Sequence, residues 1–543
     1  MKYIFSLFLL SFVFLFKPAF AENKISYECQ PFYDNEGNFS EENFKDALVL
    51  DIDASKQVSE NKEEKSIWLV FLLGLGGGLI ALLTPCVFPM IPLTVSFFTK
   101  QDGNKKQGIF QALLYGFFIF FIYTLVSAPF HLLNLAPDVL SQIATNVWLN
   151  LAFFIIFVVF AFSFFGFYEI TLPSGLANKV SSAESAGGII GVFFMALTLV
   201  IVSFSCTGPL VGSLLAGTLT QGAWHLTAGM AGFGVALGLP FALFALFPGM
   251  MKSLPKSGGW LNTVKVVLGF LELALALKFL SNADLVDPSL VIVKREIFFA
   301  LWIIIALLLA AYLFGFYSFK KGVKEKIGKG RIALGSFMVL LAILLTPSML
   351  GKDIPFVRNV IAGFPPPMHH SIFKHSSTTK NNVTAEHKQR FNFSDECPHD
   401  LPCFHDFFEA QCYAKEVNKP LFVDFTGYAC VNCRKMEENV WVDKEILSML
   451  ANDVVLVSLY VDDRTELPEE QKLIIKNGNY EKNLRNSGNK WSYFQAINFS
   501  YVSQPLYVML NPDGTEILMK PTGYTPDIQE YKNLLKEGIE KHR

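Results

Sequence analysis

The residues most suited to chemistry are cysteines in three short patterns. Cys430-Val431-Asn432-Cys433 is a C-x-x-C following the apolar run Leu421-Phe422-Val423-Asp424-Phe425 and leading into a helical stretch with Met436 and Val440. At a helix N-terminus the unpaired N–H groups and the dipole favour an anion, which lowers the pKa of a thiol placed there. Cys430 is therefore expected to be the exposed attacking thiolate and Cys433 the resolving thiol. Elsewhere, Cys86-x-x-Pro89 lies in Thr84–Pro92 beside Pro85, and Cys206-x-x-Pro209 follows Ser203-Phe204-Ser205. These two share one device, a cysteine three residues ahead of a proline inside an apolar run.

The elements that must position them divide the chain in two. Mean hydropathy is +0.38, with 52% hydrophobic and only 17% charged residues, which is a membrane composition. A net charge of −2 gives no sign of a nucleic-acid partner. Residues 1–21 have a lysine, an apolar core and Ala19-Phe20-Ala21, the form of a secretory signal. Residues 22–65 carry 12 acidic residues against 5 lysines and one cysteine, Cys29, with no second cysteine in the segment to pair with. So short a stretch rarely sustains a core, and it is expected to be poorly ordered or docked elsewhere.

Residues 66–350 hold eight apolar spans, at about 67–98, 109–130, 147–168, 189–219, 224–248, 262–281, 297–317 and 332–350, each near the ~20 residues that cross a bilayer. Alternate loops carry twelve Lys/Arg against two, Lys294 and Arg295, which orients both ends outside the cytoplasm. Proline inside a helix removes a hydrogen bond and costs ~3 kcal/mol. Backbone broken at membrane depth survives only where protein or a watery cavity lines it. Pro85, Pro89 and Pro209 therefore predict hinges around Cys86 and Cys206. The first and fourth spans run in opposite directions, so the repeated Cys-x-x-Pro device is the trace of an inverted repeat with broken helices meeting at a central site. Cys86 and Cys206 are expected to work as a pair. Glu272, in the sixth span with Lys265 and Lys278, is either an interior functional charge or an ordinary buried ion pair.

Residues 351–396, with Pro365-Pro366-Pro367, read as an external linker. Cys397-Pro398-His399 and Cys403-Phe404-His405 match no standard zinc spacing. A Cys397–Cys403 or Cys403–Cys412 bridge is expected instead, and neither a metal nor another cofactor is called for. Residues 397–543 form a soluble α/β unit in the order helix, strand, C-x-x-C helix, strand, polar insertion (462–490), helix, Ser503-Gln504-Pro505, strand, turn, strand, helix. That is the order of a thioredoxin fold. Pro505 is expected as a cis-proline facing the disulfide. Asp424 is a strand carboxylate whose burial raises its pKa, suiting it to exchange a proton with Cys433; the alternative is a satisfied core carboxylate.

The signal, the eight spans with T-P-C-x-x-P and S-C-T-G-P, and the terminal V-D-F-T-G-Y-A-C-V-N-C together resemble the DsbD/CcdA family of thiol:disulfide interchange proteins of the bacterial inner membrane. The resemblance covers about residues 66–349 and 400–543. It implies an eight-span inverted-repeat membrane domain fused to a periplasmic thioredoxin-like domain. It implies that cytoplasmic thioredoxin reduces the Cys86/Cys206 pair, which in turn reduces Cys430/Cys433. It also implies that Asp424 and Glu437 tune the C-terminal thiols. Family members usually begin with an immunoglobulin-like domain bearing its own cysteine pair, for which residues 22–65 are too short. The acceptor is thus either a separate relay protein or periplasmic disulfide proteins reduced directly. Dedication to cytochrome c maturation uses the same chemistry. A quinone-linked oxidase finds no exposed loop cysteine pair here, and a cysteine-lined solute or metal transporter leaves the C-x-x-C domain unexplained.

Overall fold

The computed structural model describes residues 29–52, 66–82, 105–127, 145–167, 189–200, 223–246, 259–286, 292–319, 327–373 and 383–543, apart from a few isolated positions within them. The signal region and both Cys-x-x-Pro stretches, with Pro85, Cys86, Pro89, Cys206 and Pro209, lie outside the described residues.

After α1 (Glu41–Ala47) come the apolar helices α2 (Ile67–Ala81), α3 (Lys105–Leu125) and α4 (Val147–Phe164), then a helical stretch at 189–197. They are followed by α5 (Ala223–Leu246), α6 (Gly259–Val286), α7 (Arg295–Leu313) and α8 (Lys329–Met349). Each predicted span thus contains helix. By their described residues alone, α4, α7 and α8 are long and apolar enough to cross a membrane.

Their packing carries the repeat. Helix α5 lies against α2 and α3, and α6 against α4. The stretch at 189–200 packs on α3, where the Phe118 and Phe193 rings meet edge-on at 5.3 Å. In span order, first meets fifth, second meets fourth and fifth, and third meets sixth. Exchanging spans one to three for four to six leaves that set unchanged, as a two-fold relation between the halves requires. Small residues permit the approach: a Cβ on Gly238 would stand 2.8 Å from the Gly116 carbonyl oxygen. Glu272 is buried in this bundle.

Beyond α8, residues 351–396 are more than a linker. They include α9 (Pro355–Ile361) and α10 (Ala385–Arg390), and Pro366 and Pro367 are buried. The C-terminal domain then runs β1 (Cys403–Phe404), α11 (Phe407–Val417), β2 (Leu421–Thr426), α12 (Val431–Asn439), α13 (Lys444–Asn452) and β3 (Val455–Tyr460). The predicted polar insertion holds a small hairpin, β4 (Ile474–Asn477) and β5 (Tyr480–Asn483), before α14 (Ser487–Phe499). It ends with β6 (Leu506–Leu510), β7 (Ile517–Thr522) and α15 (Ile528–His542). The sheet order is β1-β3-β2-β6-β7, with β1, β3 and β2 parallel, β6 antiparallel to β2, and β7 antiparallel to β6. Strand β2 is central and wholly buried, which is why it reads as a nearly unbroken apolar run. Its alternation sends Leu421, Val423 and Phe425 to the face under α11 and α14, and Phe422 to the face under α12, α13 and α15. Asp424 falls on the second face, the one the C-x-x-C helix covers.

The acidic segment is docked over residues 29–52. Cys29 forms a disulfide with Cys412 of α11 (Cα–Cα 5.6 Å), which removes the Cys403–Cys412 alternative; Cys397 pairs with Cys403 (Cα–Cα 6.1 Å). Phe32, Phe44 and Leu48 enter the core with Phe408 and Trp491. The Lys490 ammonium sits 4.3 Å from the Trp491 ring centroid and 5.5 Å from that of Phe32, a cation–π setting. Asn498 ties down the end of the segment, donating to the Leu48 carbonyl at 2.9 Å and accepting from the Leu50 N–H at 2.7 Å. The C-terminal domain is therefore attached to the membrane domain at both ends of the described chain. With a protease site engineered at residues 55–60, the cut fragments should stay joined on a denaturing non-reducing gel and part on reduction; separation without reductant would contradict the Cys29–Cys412 tether.

Candidate redox site

The C-x-x-C sits where a parallel strand gives way to a helix. Cys430 is the N-cap of α12, and its Sγ accepts the Cys433 N–H at 3.1 Å. The two form a disulfide with Cα atoms 5.3 Å apart; Cys433 is buried and Cys430 half-buried. This is the asymmetry expected of an attacking and a resolving thiol. The loop ahead of Cys430 is held by Asp462, which follows β3 and accepts the N–H groups of Tyr428 at 2.9 Å and Ala429 at 3.1 Å. Gly427 lets that loop close: a Cβ there would stand 2.6 Å from Gln504 Oε1 and 2.9 Å from an Asp462 oxygen. The Gln504–Pro505 peptide is cis, as the Ser503-Gln504-Pro505 order predicts, and Gln504 brings it beside the C-x-x-C loop.

Behind the disulfide lies a buried charge cluster. Asp424 is 1% exposed, accepts Ser458 Oγ at 3.2 Å, and has no hydrogen-bond partner on its other oxygen among the described residues. Arg434, also buried, pairs with Glu437 at 2.7 Å and donates to Thr426 Oγ1 at 3.2 Å. Glu438 pairs with Arg295 at 2.7 Å. Three carboxyl groups (Asp424, Glu437, Glu438) thus share a site shut off from water with the guanidinium groups of Arg434 and Arg295 and with the nearby Lys278 amine. Burial accordingly pushes Asp424 up to about 7 and Glu437 up to about 8, against the pull of Arg434 on both. Burial also raises Asp462, to about 6, although two N–H groups bond it. A carboxyl group that holds a proton near neutrality is suited to proton exchange with a thiol.

The segment that follows the membrane domain covers the disulfide end of α12. Helix α9 packs on α12. Gly363, in a left-handed conformation (φ 86°), approaches so closely that a Cβ would stand 2.7 Å from Val431, the neighbour of Cys430. Arg295, first residue of α7, donates to both Glu438 and the Pro366 carbonyl at 2.7 Å. On the other flank, Arg464 donates to Thr145 Oγ1 at 3.3 Å, just ahead of α4.

Of the residues singled out by sequence, the structure therefore gathers Cys430, Cys433, Asp424, Glu437 and Pro505 into one site. Asp462, Arg434, Glu438 and Arg295 were missed. Asp462 had a signal, since it lies just past the carboxyl end of a parallel strand beside the C-x-x-C strand, and the carboxyl ends of such strands are where α/β sheets bind and react. Arg295 entered the sequence argument only as a loop charge. Cys397, Cys403 and His405 have ligand atoms within 4.8 Å of one another, but the two sulfurs are joined in a disulfide and the His405 nitrogens contact Ser394 Oγ and the Ser458 carbonyl.

Residues 67–283 match the family described as "Cytochrome C biogenesis protein transmembrane domain", and residues 407–539 match "Thioredoxin-like domain". The class is thus a multi-pass helical membrane domain of the cytochrome c biogenesis type joined to a thioredoxin-like domain. More particularly, the chain is similar to the thiol:disulfide interchange protein DsbD of Pseudoalteromonas atlantica (27% identity over 398 residues, 72% of this chain and 59% of that one). It is likewise similar to DsbD of Ralstonia nicotianae (27%; 73% and 61%) and of Haemophilus influenzae (35% over 227 residues; 40% and 37%). The resemblance to the DsbD/CcdA family holds for both regions, and the chain spans about six-tenths of the length of the first two relatives.

The raised carboxyl groups fix a pH dependence. Because their folded-state pKa values lie above the ordinary 3.8 and 4.5, the folded chain binds more protons than the unfolded one from about pH 4 to 8, so stability falls as pH rises through that window. Calorimetry of the full chain in detergent should show the C-terminal transition moving down in temperature between pH 5 and 8, and Asp424→Asn should flatten that slope. An unchanged slope would place Asp424 outside the cluster.

Proposed function

We propose that this chain is a transmembrane protein-disulfide reductase of the bacterial inner membrane, with both the acidic N-terminal segment and the thioredoxin-like domain on the periplasmic side. Reduced cytoplasmic thioredoxin attacks a Cys86–Cys206 disulfide through a mixed disulfide, leaving two thiols in the membrane domain and a disulfide in thioredoxin. The membrane dithiol attacks Cys430–Cys433, passing on two electrons and two protons. Reduced Cys430 then attacks a periplasmic protein disulfide, and Cys433 resolves the intermediate. Proline removes a helical hydrogen bond, so the occurrence of Pro85, Pro89 and Pro209 in the spans that carry the membrane cysteines suits a site reached from each side in turn. Thioredoxin, at about −270 mV, runs downhill toward an oxidising periplasm.

The observation that carries this reading is the half-buried Cys430, N-capping α12, the helix on which α9 packs and whose Glu438 binds Arg295 of the membrane domain. Asp424 and Glu437 supply and take the protons that thiolate exchange requires. The description of the matched membrane family favours, as a narrower version, clients on the route of cytochrome c maturation.

Thiol trapping in cells tests it. Cys430 and Cys433 should be largely reduced in the wild type, and oxidised in Cys86→Ala or when cytoplasmic thioredoxin reductase is absent; a pair that stays reduced in either background would refute the inward source of electrons. Cys430→Ser should abolish client reduction, whereas a transporter would keep working.

A further inference from the structure

The ion pair between Arg295 and Glu438 crosses between the two domains and is almost wholly closed to water, with side chains 5% and 2% exposed. Glu438 sits on the helix whose first turn carries the C-x-x-C. Arg295 opens α7, and a second bond from the same guanidinium nitrogen to the Pro366 carbonyl fixes its direction. The Arg295 guanidinium also lies 5.4 Å from the Phe299 ring centroid one turn along α7. The residues around the pair are thus those that bring Val431 onto Gly363.

We propose that Arg295 is a positioning residue for the electron-uptake step. Through Glu438 it latches the C-x-x-C helix onto the membrane domain, so that the membrane dithiol can reach Cys430. The inference rests on the relay proposed above. In the step it serves, one membrane thiolate attacks Cys430–Cys433, the second displaces it, and the products are a membrane disulfide and a Cys430/Cys433 dithiol, with two electrons and two protons transferred. A pair shut off from water suits a latch better than a rim contact. Removing one partner of a buried pair leaves the other charge stranded and mainly speeds dissociation, so the docked state is shortened while the thiols are untouched. Client reduction needs Cys430 turned toward another protein, so the latch must also open; an ion pair whose charges are rehydrated on opening can do so reversibly, unlike a covalent link.

The test follows the recovery of Cys430/Cys433 thiols in cells carrying the full-length protein, after a pulse of a diffusible oxidant. Intact Cys29–Cys412 and Cys397–Cys403 serve as the sign of a folded domain. Glu438→Gln and Arg295→Gln should each slow recovery by about tenfold or more, and the exchanged pair Arg295→Glu with Glu438→Arg should regain most of the wild-type rate. Should Glu438→Gln fail the folding criterion, Arg295→Gln and the exchanged pair carry the comparison from the membrane side. Single variants that recover at the wild-type rate would overturn the latch, as would an exchanged pair no faster than the singles. Cys86→Ala separates the two levels: recovery in that variant would overturn the relay itself and the latch with it, whereas no recovery there alongside normal single variants would sink the latch alone.

Discussion

One buried guanidinium holds the redox site together. Arg434, one position past Cys433, ties the C-x-x-C helix to the end of β2 through Thr426 and pairs with Glu437 in the next turn. Its charge also pulls on Asp424. Stranding a buried charge by deleting its partner typically costs 3–5 kcal/mol, about half the stability of an ordinary domain. The arrangement therefore persists as a unit, and it keeps Asp424 and Glu437 out of water. Burial lets those carboxyl groups hold a proton near neutrality, which gives a thiol-exchange site its acid and base.

The same helix serves two masters. Its N-terminus presents Cys430, its flank carries the acids, and its outer face meets α9 and Arg295 of the membrane domain. Uptake of electrons, proton balance and docking thus converge on nine residues of α12. The domain is also attached at two ends, by the chain beyond α8 and by the stapled segment at residues 29–52. Two attachments restrict the orientations it can sample and raise the effective concentration of Cys430 at the membrane domain. This favours a short excursion of a leashed domain over free diffusion.

Sequence reasoning did best where chemistry is local. A C-x-x-C after an apolar strand specifies a helix N-terminus, a buried resolving thiol and a strand carboxylate behind it, and Ser503-Gln504-Pro505 specified the cis peptide. These depend on spacing alone. What it missed depends on distance along the chain: Cys29 finds Cys412 across 383 positions, and Arg295 finds Glu438 across 143. Neither pairing has a periodicity, and an acidic segment with one cysteine gives no hint of the aromatic cage around Lys490. For a related reason the linker reading did not foresee that Pro365, Pro366 and Pro367 are all buried. The short elements β1 and α13 fell below what pattern can resolve, because tertiary packing rather than propensity stabilises them.

The central claim is that electrons pass from the membrane cysteines directly to Cys430. In Cys86→Ser or Cys206→Ser the remaining membrane thiolate can attack Cys430–Cys433 and expel Cys433, but no second membrane thiol displaces Cys430, so acid quenching should trap that step as a mixed disulfide. Mass spectrometry of non-reduced peptides from the trapped full-length protein measures it. The account predicts a peptide joining Cys430 to Cys86 or Cys206 within the same chain, absent when both membrane cysteines are replaced. Cys430 found only joined to Cys433 or to other proteins, or only as a free thiol, would contradict it.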